Sequence, residues 1–345
     1  MNLIKITHLG DIMFDYDFSK IKEKYCNQKN VYDFSECFEN LKKLLNHSDY
    51  VIANLETPVT ENKDAITKEQ YSFSAPYEFV EAIKNCGINC VSTANNHCLD
   101  RGINGLKDTI NCLDKIGLEH TGTYLSSKNK QLLIEDIKGV KIGILAYTYG
   151  TNAFDNKVYL KRKQRRMVDL LQNQEEYISK ANPFYWFLTH RQNGFVARLY
   201  KKFYYKFHPE NIGKMSHEKV NFSRFRKKTL KKDIKALKRK SDIVVAFIHV
   251  GEQLRSQPST YTLKTTNFIK QMGVDVVIAN HEHVVHGSCY EKNQQVTTYS
   301  IGNCFSSMGV LYGPFDLWAE YSVAVHTYFD VENKKIQKVS FSVLK

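Results

Sequence analysis

Short runs of β-branched residues alternate with amphipathic stretches along most of this chain, and this alternation restricts the fold more than any other feature. In the first half, the predicted strands are Leu3–Leu9, Tyr50–Asn54, Cys90–Thr93 and Lys141–Tyr147. Between them, apolar residues recur every three or four positions in the predicted helices Phe34–Leu45, Pro76–Cys86 and Gly102–Ile116. Strands separated by helices in this way predict a layered α/β sheet rather than a helical bundle or a β-sandwich.

The second half of the chain repeats this order. Its predicted elements are the strands Ile243–His249, Val274–Ala279 and Val296–Ser300, the helix Thr262–Met272, and a hairpin made by Tyr321–Asp330 and Lys335–Leu344. The two halves are separated by residues 151–221, which are rich in Lys, Arg, Tyr and Phe and lack a strand rhythm. We therefore predict a single domain over residues 1–345 that carries a basic, aromatic-rich helical insertion at 151–221.

The positive charge of the chain is concentrated in one segment. The formal net charge is +13, but residues 157–240 hold 24 Lys and Arg against 6 Asp and Glu, so the rest of the chain is net negative. Cationic and aromatic side chains interleave in this segment, which suits an anionic membrane surface, an anionic polymer such as polyglutamate or, as a less favoured partner, nucleic acid. The alternative is a solvated helical lid whose aromatic side chains pack on the core.

Cysteine usage and the N-terminus bear on the cellular compartment. The eight cysteines form no CxxC pair, which predicts free thiols in a reducing compartment. The opening MNLIKITHLGD has no apolar signal core, and no run approaches the roughly 18 apolar residues of a membrane span. We expect a cytoplasmic protein, with peripheral membrane association through the basic segment as the alternative.

Polar side chains follow five of the predicted strands. The loops are HLGDIMFD with Asp11, ANLETPVT with Asn54 and Glu56, TANNHCLDRG with Asn95, Asn96, His97 and Asp100, FIHVGEQ with His249, and IANHEHVVHG with His281 and His283. Each loop is ordinary by itself, since Asp and Asn commonly cap helices or form turns. Ligands of α/β sheets bind where strands end, however, so five such loops together predict a site for divalent ions such as Mn, Fe or Zn.

The same loops resemble those of a known family. In order and chemistry they are similar to the five motif blocks of the calcineurin-like metallophosphoesterases. More closely, they resemble the signatures of CapA-type proteins of poly-γ-glutamate capsule biosynthesis, at GDIMFD, NLET, ANNHCLDRG, HVGEQ, NHEHVVHG and YSIGNCF. The resemblance covers residues 1–150 and 220–310. It implies a four-layer α/β sandwich, in which two mixed sheets face each other between outer helices and the metal site lies at the strand ends.

The resemblance also implies roles for individual residues. Two overlapping ligand sets would hold one or two divalent ions, Mn, Fe, Zn or Mg. These sets are Asp11, Glu56 and His283 for the first ion, and Glu56, Asn96, His249 and His281 for the second. His97 would be the general acid that protonates the leaving group. A further set would bind the substrate, namely Asn54, Asn95, Glu252, Gln253 and Asn303.

Two positions depart from the patterns of these families. Met13 stands where the larger superfamily has a histidine, so the first ion would lose a nitrogen ligand. Gln253 stands where CapA-type proteins usually have a glutamate, and Glu252 lies one position earlier. The resemblance implies a metal-dependent hydrolase that acts on a phosphate ester or an anionic polymer of capsule biosynthesis. The alternatives are a non-catalytic accessory subunit of polymer synthesis or export, and a membrane- or nucleic-acid-associated factor that acts through the basic segment.

Overall fold

The computed structural model describes residues 2–14, 32–61, 72–174, 224–291, 294–306 and 317–345. Most of the predicted insertion, residues 175–221, lies outside the described residues. The helices are α1 Ser35–Leu45, α2 Tyr77–Asn85, α3 Gly102–Ile116, the short α4 Ala153–Asn156, α5 Arg224–Lys238 and α6 Thr260–Gln271. Two 3-10 helices are described, at Arg162–Gln164 and Leu317–Glu320.

Thirteen strands are described, and they form two mixed sheets. They are β1 Leu3–Met13, β2 Tyr50–Leu55, β3 Cys90–Ser92, β4 Glu119–Thr121, β5 Leu133–Ile137, β6 Val140–Thr148, β7 Ile243–His249, β8 Val276–Asn280, β9 Ser288–Tyr290, β10 Val296–Thr298, β11 Asn303–Ser306, β12 Ser322–Asp330 and β13 Lys335–Leu344. The first sheet has the order β13-β12-β1-β2-β3-β4, with β11 also paired to β1. The second has the order β5-β6-β7-β8-β10-β9.

Alternation along each buried strand explains why the molecule has four layers. In β2, Tyr50 and Ile52 point into the core between the two sheets, whereas Val51 and Leu55 point to the outer face under the helices. Strand β7 divides in the same way, since Val245 belongs to the core between the sheets and its neighbours to the outer cluster. Because both faces of these strands are apolar, each sheet requires a cover on each side.

Helices supply the two outer layers. Phe38 of α1 and Phe79 of α2 pack on the first sheet, and Leu230, Ile234 and Leu237 of α5 pack on the second. Burying each such side chain contributes about 1.5–3 kcal/mol relative to leaving it exposed. The predicted four-layer α/β sandwich is confirmed, with helices outside two facing mixed sheets.

Several elements differ from the sequence-based expectation, and the short strands β4, β5, β9 and β11 were not predicted. Strand β1 continues to Met13 rather than ending at Leu9, because it pairs with β2 and later with β11 across an irregularity between His8 and Asp11. Asp11 therefore lies within the strand and not after it. Helix α5 also differs from expectation, because it begins at Arg224, beyond the end predicted for the helical insertion at 151–221.

The described part of the predicted insertion returns to the core after β6. Met167, Val168 and Leu170 are buried against α3, and Leu171 is buried beneath the helices of the second sheet. Within the ranges that the structure describes, no helix is long and apolar enough to cross a membrane. The boundaries of the insertion and the cytoplasmic location stay predictions.

Candidate metal centre

The carboxyl ends of strands from both sheets meet at one edge of the sandwich. Strands β1, β2 and β3 run parallel in the first sheet, and β6, β7 and β8 run parallel in the second. Parallel strands place their following loops at a common edge, which is where α/β sheets bind ligands. The loops named from the sequence are consequently brought together, although up to about 270 positions separate them along the chain.

A close backbone contact positions Asp11 in this edge. The Asp11 amide donates to the Gly302 carbonyl oxygen over 3.2 Å. A β-carbon added to Gly10 would lie 1.8 Å from that same oxygen, so no larger residue fits there without movement. Gly302 has a φ of +75°, a conformation that favours glycine. The GDIMFD and YSIGNCF motifs therefore meet through two glycines, and this contact fixes the part of β1 that carries Asp11.

Four of the six proposed ligands converge on one point. The Nε2 atom of His249 lies 2.7 Å from Asn96 Oδ1, 3.0 Å from His281 Nδ1 and 3.2 Å from Glu56 Oε1. These residues come from four different loops and all four are buried. They are the residues that the resemblance assigns to the second ion.

The other two proposed ligands, Asp11 and His283, form a second group that also includes Glu56. The Oδ2 atom of Asp11 is 3.5 Å from Nδ1 of His283. Asp11, Glu56 and His283 each offer one ligand atom, and these atoms lie within 4.8 Å of one another. Glu56, His249 and His281 satisfy the same condition, so Glu56 belongs to both groups. The structure therefore brings all six proposed ligands together, with Glu56 between two sets.

The electrostatics of this cluster favour a bound cation. Burial, and then the charge of Glu56, raise the pKa of Asp11 from 3.8 to about 7. Burial raises the pKa of Glu56 from 4.5 to about 7. The buried atoms Asp11 Oδ2 and both carboxylate oxygens of Glu56 accept no hydrogen bond from a described residue. Buried carboxylates without partners are costly unless a cation coordinates them, so this donor set fits a divalent metal ion.

The histidines of the cluster are suited to metal binding in their neutral form. Burial lowers the pKa of His249 and that of His283 to about 4, although Asp11 acts in the opposite direction on both. An imidazole that is neutral at physiological pH can use a ring nitrogen as a ligand. His281 and His283 also have positive φ values of 127° and 61°. Such conformations cost about 1–3 kcal/mol each and cluster at functional sites.

His97 lies beside the cluster rather than within it. Its Nδ1 atom is 2.6 Å from Asp100 Oδ2, and its Nε2 atom is 3.9 Å from Glu56 Oε1. The ring stacks on Phe73 at a centroid distance of 4.0 Å. Burial alone would lower the pKa of His97, but the charge and hydrogen bond of Asp100, together with the charges of Glu56 and Asp11, outweigh burial and raise it. This environment keeps a proton available on a ring that faces the centre.

Some of the residues predicted to bind substrate are buried, and others are partly exposed. Asn54 and Asn95 are buried; Asn54 donates to Asp11 Oδ1 over 2.6 Å, and Asn95 donates to the carbonyl oxygen of Leu55 over 2.7 Å. In this structure both amides orient neighbouring protein groups. Asn303 is partly exposed, and its Oδ1 lies 2.9 Å from His283 Nδ1.

The remaining two predicted substrate residues follow β7. Glu252 is buried and forms an ion pair with Arg255. Gln253 is partly exposed, and its Nε2 atom lies 3.4 Å from Nε2 of His283. Of the five residues, Gln253 and Asn303 therefore combine partial exposure with a contact to a proposed metal ligand. The substrate-binding role of all five stays a prediction.

Several residues at the centre were not identified from the sequence. Tyr149 packs on His281 with ring centroids 4.8 Å apart, and Asn96 donates to Asn152 Oδ1 over 3.3 Å. Asn156 donates to Asp100 Oδ1 over 2.9 Å, while Phe73 donates through its backbone amide to Asp100 Oδ2. Asn96 and Asp100 stand in a recognised motif. The residues around them lie in segments without a motif, namely Phe73, Tyr149, Asn152 and Asn156.

Comparisons with a family model and with two individual proteins both point to proteins of capsule biosynthesis. The family model for bacterial capsule synthesis protein PGA_cap matches residues 5–308. Capsule biosynthesis protein CapA of Bacillus anthracis is 25% identical over 310 residues, which cover 89% of this chain and 60% of that protein. PGA biosynthesis protein CapA of Bacillus subtilis (strain 168) is 22% identical over 311 residues, which cover 89% of this chain and 64% of that protein. The chain thus spans less than two thirds of the length of these relatives.

A solved structure shares the fold. A crystal structure described as a novel phosphatase from Mycoplasma pneumoniae has a TM-score of 0.51 and 15% sequence identity. The similarity covers 100% of this chain and 94% of that one. At this level of identity the likeness concerns the fold, which agrees with the two facing sheets described above.

Proposed function

This chain belongs to the bacterial capsule synthesis protein family PGA_cap, and from that premise we propose that it is a metal-dependent hydrolase. Its substrate is a phosphate ester or a bond within an anionic polymer connected with capsule or poly-γ-glutamate biosynthesis. The observation that carries this proposal is the position of Glu56, which lies buried between two groups of metal-compatible side chains.

The ligands divide between two ions. Asp11, Glu56 and His283 would hold one ion, and Glu56 with Asn96, His249 and His281 would hold the other. Divalent ions bound here would neutralise negative charge on the substrate and stabilise the charge that develops during hydrolysis. Asn54 holds the Asp11 carboxylate through its 2.6 Å hydrogen bond, so the first group is oriented before any ion binds.

His97 supplies the proton for the leaving group. Its Nδ1 side is occupied by Asp100, which leaves Nε2 directed towards Glu56 and the centre. The raised pKa of His97, caused by Asp100, favours the protonated ring that a general acid requires. Phe73 covers one face of the ring and restricts its rotation.

Met13 gives the two ions unequal sites. It is buried, and it packs with Phe73 in a small apolar cluster. The first group therefore has one nitrogen ligand, from His283, whereas the second has two, from His249 and His281. Because imidazole nitrogen suits Zn, Fe and Mn, we propose that the second group is filled first.

Metal analysis combined with an activity panel tests the proposal. Protein purified without chelator is analysed by mass spectrometry for bound metals and assayed with phosphomonoesters, phosphodiesters and acidic polymers in the presence of Mn²⁺. We expect at least one bound ion and hydrolysis in one of the three classes. His97→Ala is expected to lower turnover while keeping the metal, whereas the matched control His120→Ala, which removes a histidine bonded to Asp114, is expected to change neither.

The same experiment separates hydrolysis from an accessory role. A protein that binds metal and an acidic polymer but turns over no substrate in the panel would contradict the hydrolase and support a binding subunit. A protein without bound metal after exposure to Mn²⁺, Zn²⁺ and Fe²⁺ would contradict the metal centre itself.

A further inference from the structure

Helix α5 presents a row of cations to solvent. The exposed lysines and arginines of the helix and its last turn are Arg224, Lys227, Lys228, Lys231, Lys232, Lys235, Lys238, Arg239 and Lys240. The turn at 161–166 lies beside the start of this helix, because Nη1 of Arg226 donates to the Arg165 carbonyl oxygen over 2.9 Å. This turn adds the exposed Lys161, Arg162, Lys163, Arg165 and Arg166. We call these side chains together the basic face.

Asp233, the acidic residue of α5, and Asp169, which follows the turn at 161–166, do not neutralise the basic face. Asp233 of α5 and Asp169 both form ion pairs with Lys130, which lies in the loop before β5. The hydroxyl group of Tyr147 also donates to Asp233. Within the described residues, no carboxylate forms an ion pair with a member of the basic face. The face therefore carries a large net positive charge, which attracts anions over a distance of about 8–10 Å at physiological salt.

The basic face leads towards the metal centre. Leu237, near the end of α5, lies against Gly143 near the start of β6, whereas Asp233 bonds to Tyr147 near the end of that strand. The helix therefore runs antiparallel to β6, and its first residues lie at the edge that holds the metal centre. Two residues beyond Tyr147, Tyr149 contacts His281 directly. A ligand lying along α5 would reach the centre at the amino end of the helix.

The side chains that α5 exposes indicate which class of anionic partner fits the basic face. A helix that docks into a bilayer interface inserts its apolar face, but the apolar residues Leu230, Ile234 and Leu237 are buried against the second sheet. Single-stranded nucleic acid requires successive aromatic side chains for stacking, and α5 exposes only Phe225. The cations are mostly lysines, which act as point charges without the planar geometry of arginine. These properties fit carboxylates spaced along a flexible chain.

We propose that the basic face is a docking surface for a flexible acidic polymer, whose chain lies along α5 and enters the metal centre at the amino end of the helix. The inference rests on the proposed function, since it names the class of substrate that the same site receives. The 15 residues of α5 extend over about 22 Å, and an extended polymer with a peptide repeat would span this length with about seven units.

Binding of labelled glutamate oligomers to the full-length, metal-free chain tests the surface without requiring turnover. Fluorescence anisotropy would compare oligomers of about three and about twelve residues. We expect the longer oligomer to bind at least about tenfold more tightly, because it can follow the whole helix, and to lose affinity steeply as salt is raised. The shorter oligomer is expected to show a weaker salt dependence.

A charge-matched pair of variants locates the binding surface. Replacing Lys227, Lys228, Lys231 and Lys232 together with glutamine removes four charges from α5, and we expect the affinity for the longer oligomer to fall by at least about tenfold. The control replaces Lys42, Lys43, Lys335 and Lys338 with glutamine, which removes four exposed charges from α1 and β13. This control is expected to change the affinity by less than about twofold.

Two results would overturn the inference. One is equal affinity of the two quadruple variants for the longer oligomer. The other is tighter binding of the wild-type chain to phosphatidylglycerol vesicles or to single-stranded DNA than to the longer oligomer at equal salt. Failure of the proposed function gives a different pattern, in which the oligomers bind as expected but neither esters nor polymers are hydrolysed. Hydrolysis of small esters, combined with α5 substitutions that leave the affinity for the longer oligomer unchanged, would refute the docking surface alone.

Discussion

His97 and Asp100 form a buried hydrogen-bonded pair beside the metal centre, with 2.6 Å between Nδ1 of the imidazole and Oδ2 of the carboxylate. Asp100 is held in place by two further donors, the backbone amide of Phe73 and the side-chain amide of Asn156. These bonds fix both the position of the carboxylate and the orientation of the imidazole. The pair therefore turns Nε2 of His97 towards Glu56, where a leaving group would need a proton.

Asp100→Asn is expected to lower turnover by about tenfold to a thousandfold, because the amide no longer supports a positive charge on His97. Burial would then lower the pKa of His97, so the alkaline limb of activity, where the general acid loses its proton, should move to lower pH. Esters whose leaving group needs no proton should lose least. The measurement is the pH profile of kcat for nitrophenyl and alkyl esters, with metal content measured in parallel.

Asp114→Asn is a matched control, because Asp114 also pairs with a histidine, His120, at 3.0 Å, but on the far side of β3 from the proposed centre. It is expected to leave the pH profile unchanged. Equal losses for nitrophenyl and alkyl esters in Asp100→Asn would show that Asp100 supports the fold and not proton transfer. A large fall in melting temperature would point to the same conclusion.

Metal affinity should depend on pH through two carboxyl groups. Asp11 and Glu56 both have a pKa raised to about 7, so a metal ion must displace up to two protons below that pH. The apparent affinity is then expected to fall by up to about a hundredfold per pH unit below pH 7 and to level off above it. His249 and His283 remain neutral down to about pH 4 and should contribute little in this range.

Isothermal titration calorimetry at pH 6 in two buffers of different ionisation enthalpy counts the released protons. We expect between one and two protons per ion at pH 6 and nearly none at pH 8.5. Affinity that stays constant between pH 5.5 and 7.5 would contradict the raised pKa values of the two carboxyl groups. The same titration with Glu56→Gln should show no proton release, because this variant is not expected to bind metal.

The order of strands and helices, and the loops that converge on the proposed centre, could be predicted from the sequence because both are carried by local patterns. In β2 and β7, apolar residues on both faces of a short strand mark a buried strand before any tertiary contact is known. The proposed ligands stand in compact motifs at the ends of such strands. Parallel pairing then brings these motifs to one edge, so Asp11 and His283 meet without any signal that links them along the sequence.

The features that the sequence did not predict depend on distant contacts. Helix α5 has apolar residues at Leu230, Ile234 and Leu237, but the surrounding lysines concealed this helical spacing. Phe73 and Asn156 lie in segments without a motif, and only the fold places them against His97 and Asp100. Strands such as β4 and β9 have three residues each and carry too short a pattern to be recognised.

Glu56→Gln should stabilise the metal-free protein while abolishing its response to metal. At pH 8, above the pKa of about 7, the buried Glu56 carries a charge that no described hydrogen bond compensates. Replacing the carboxylate with an amide of similar shape removes that charge and should raise the free energy of unfolding by about 1–3 kcal/mol. Divalent ions should raise the melting temperature of the wild-type protein but not that of the variant.

Glu119→Gln, at an exposed position on β4, controls for the loss of a carboxylate as such. It should change neither the stability of the metal-free protein nor its response to metal. Differential scanning calorimetry at pH 8, with and without Mn²⁺, measures both quantities. A metal-free Glu56→Gln protein less stable than the wild type would show that Glu56 makes a favourable interaction within the fold, and would argue against a site built for a cation.

Gly10→Ala tests whether the contact between β1 and Gly302 positions Asp11. The added β-carbon would lie 1.8 Å from the Gly302 carbonyl oxygen, which is backbone and cannot turn away, so β1 or the segment around Gly302 must move. We expect a loss of about 1–3 kcal/mol in the free energy of unfolding, as is typical of overpacking. The movement should also displace Asp11 and weaken metal binding by at least about tenfold.

Gly287→Ala is the control, because a β-carbon there meets no atom within 4 Å. Chemical denaturation and metal titration of both variants decide the matter: a Gly10→Ala protein with wild-type metal affinity would show that this glycine contact is unnecessary for the centre.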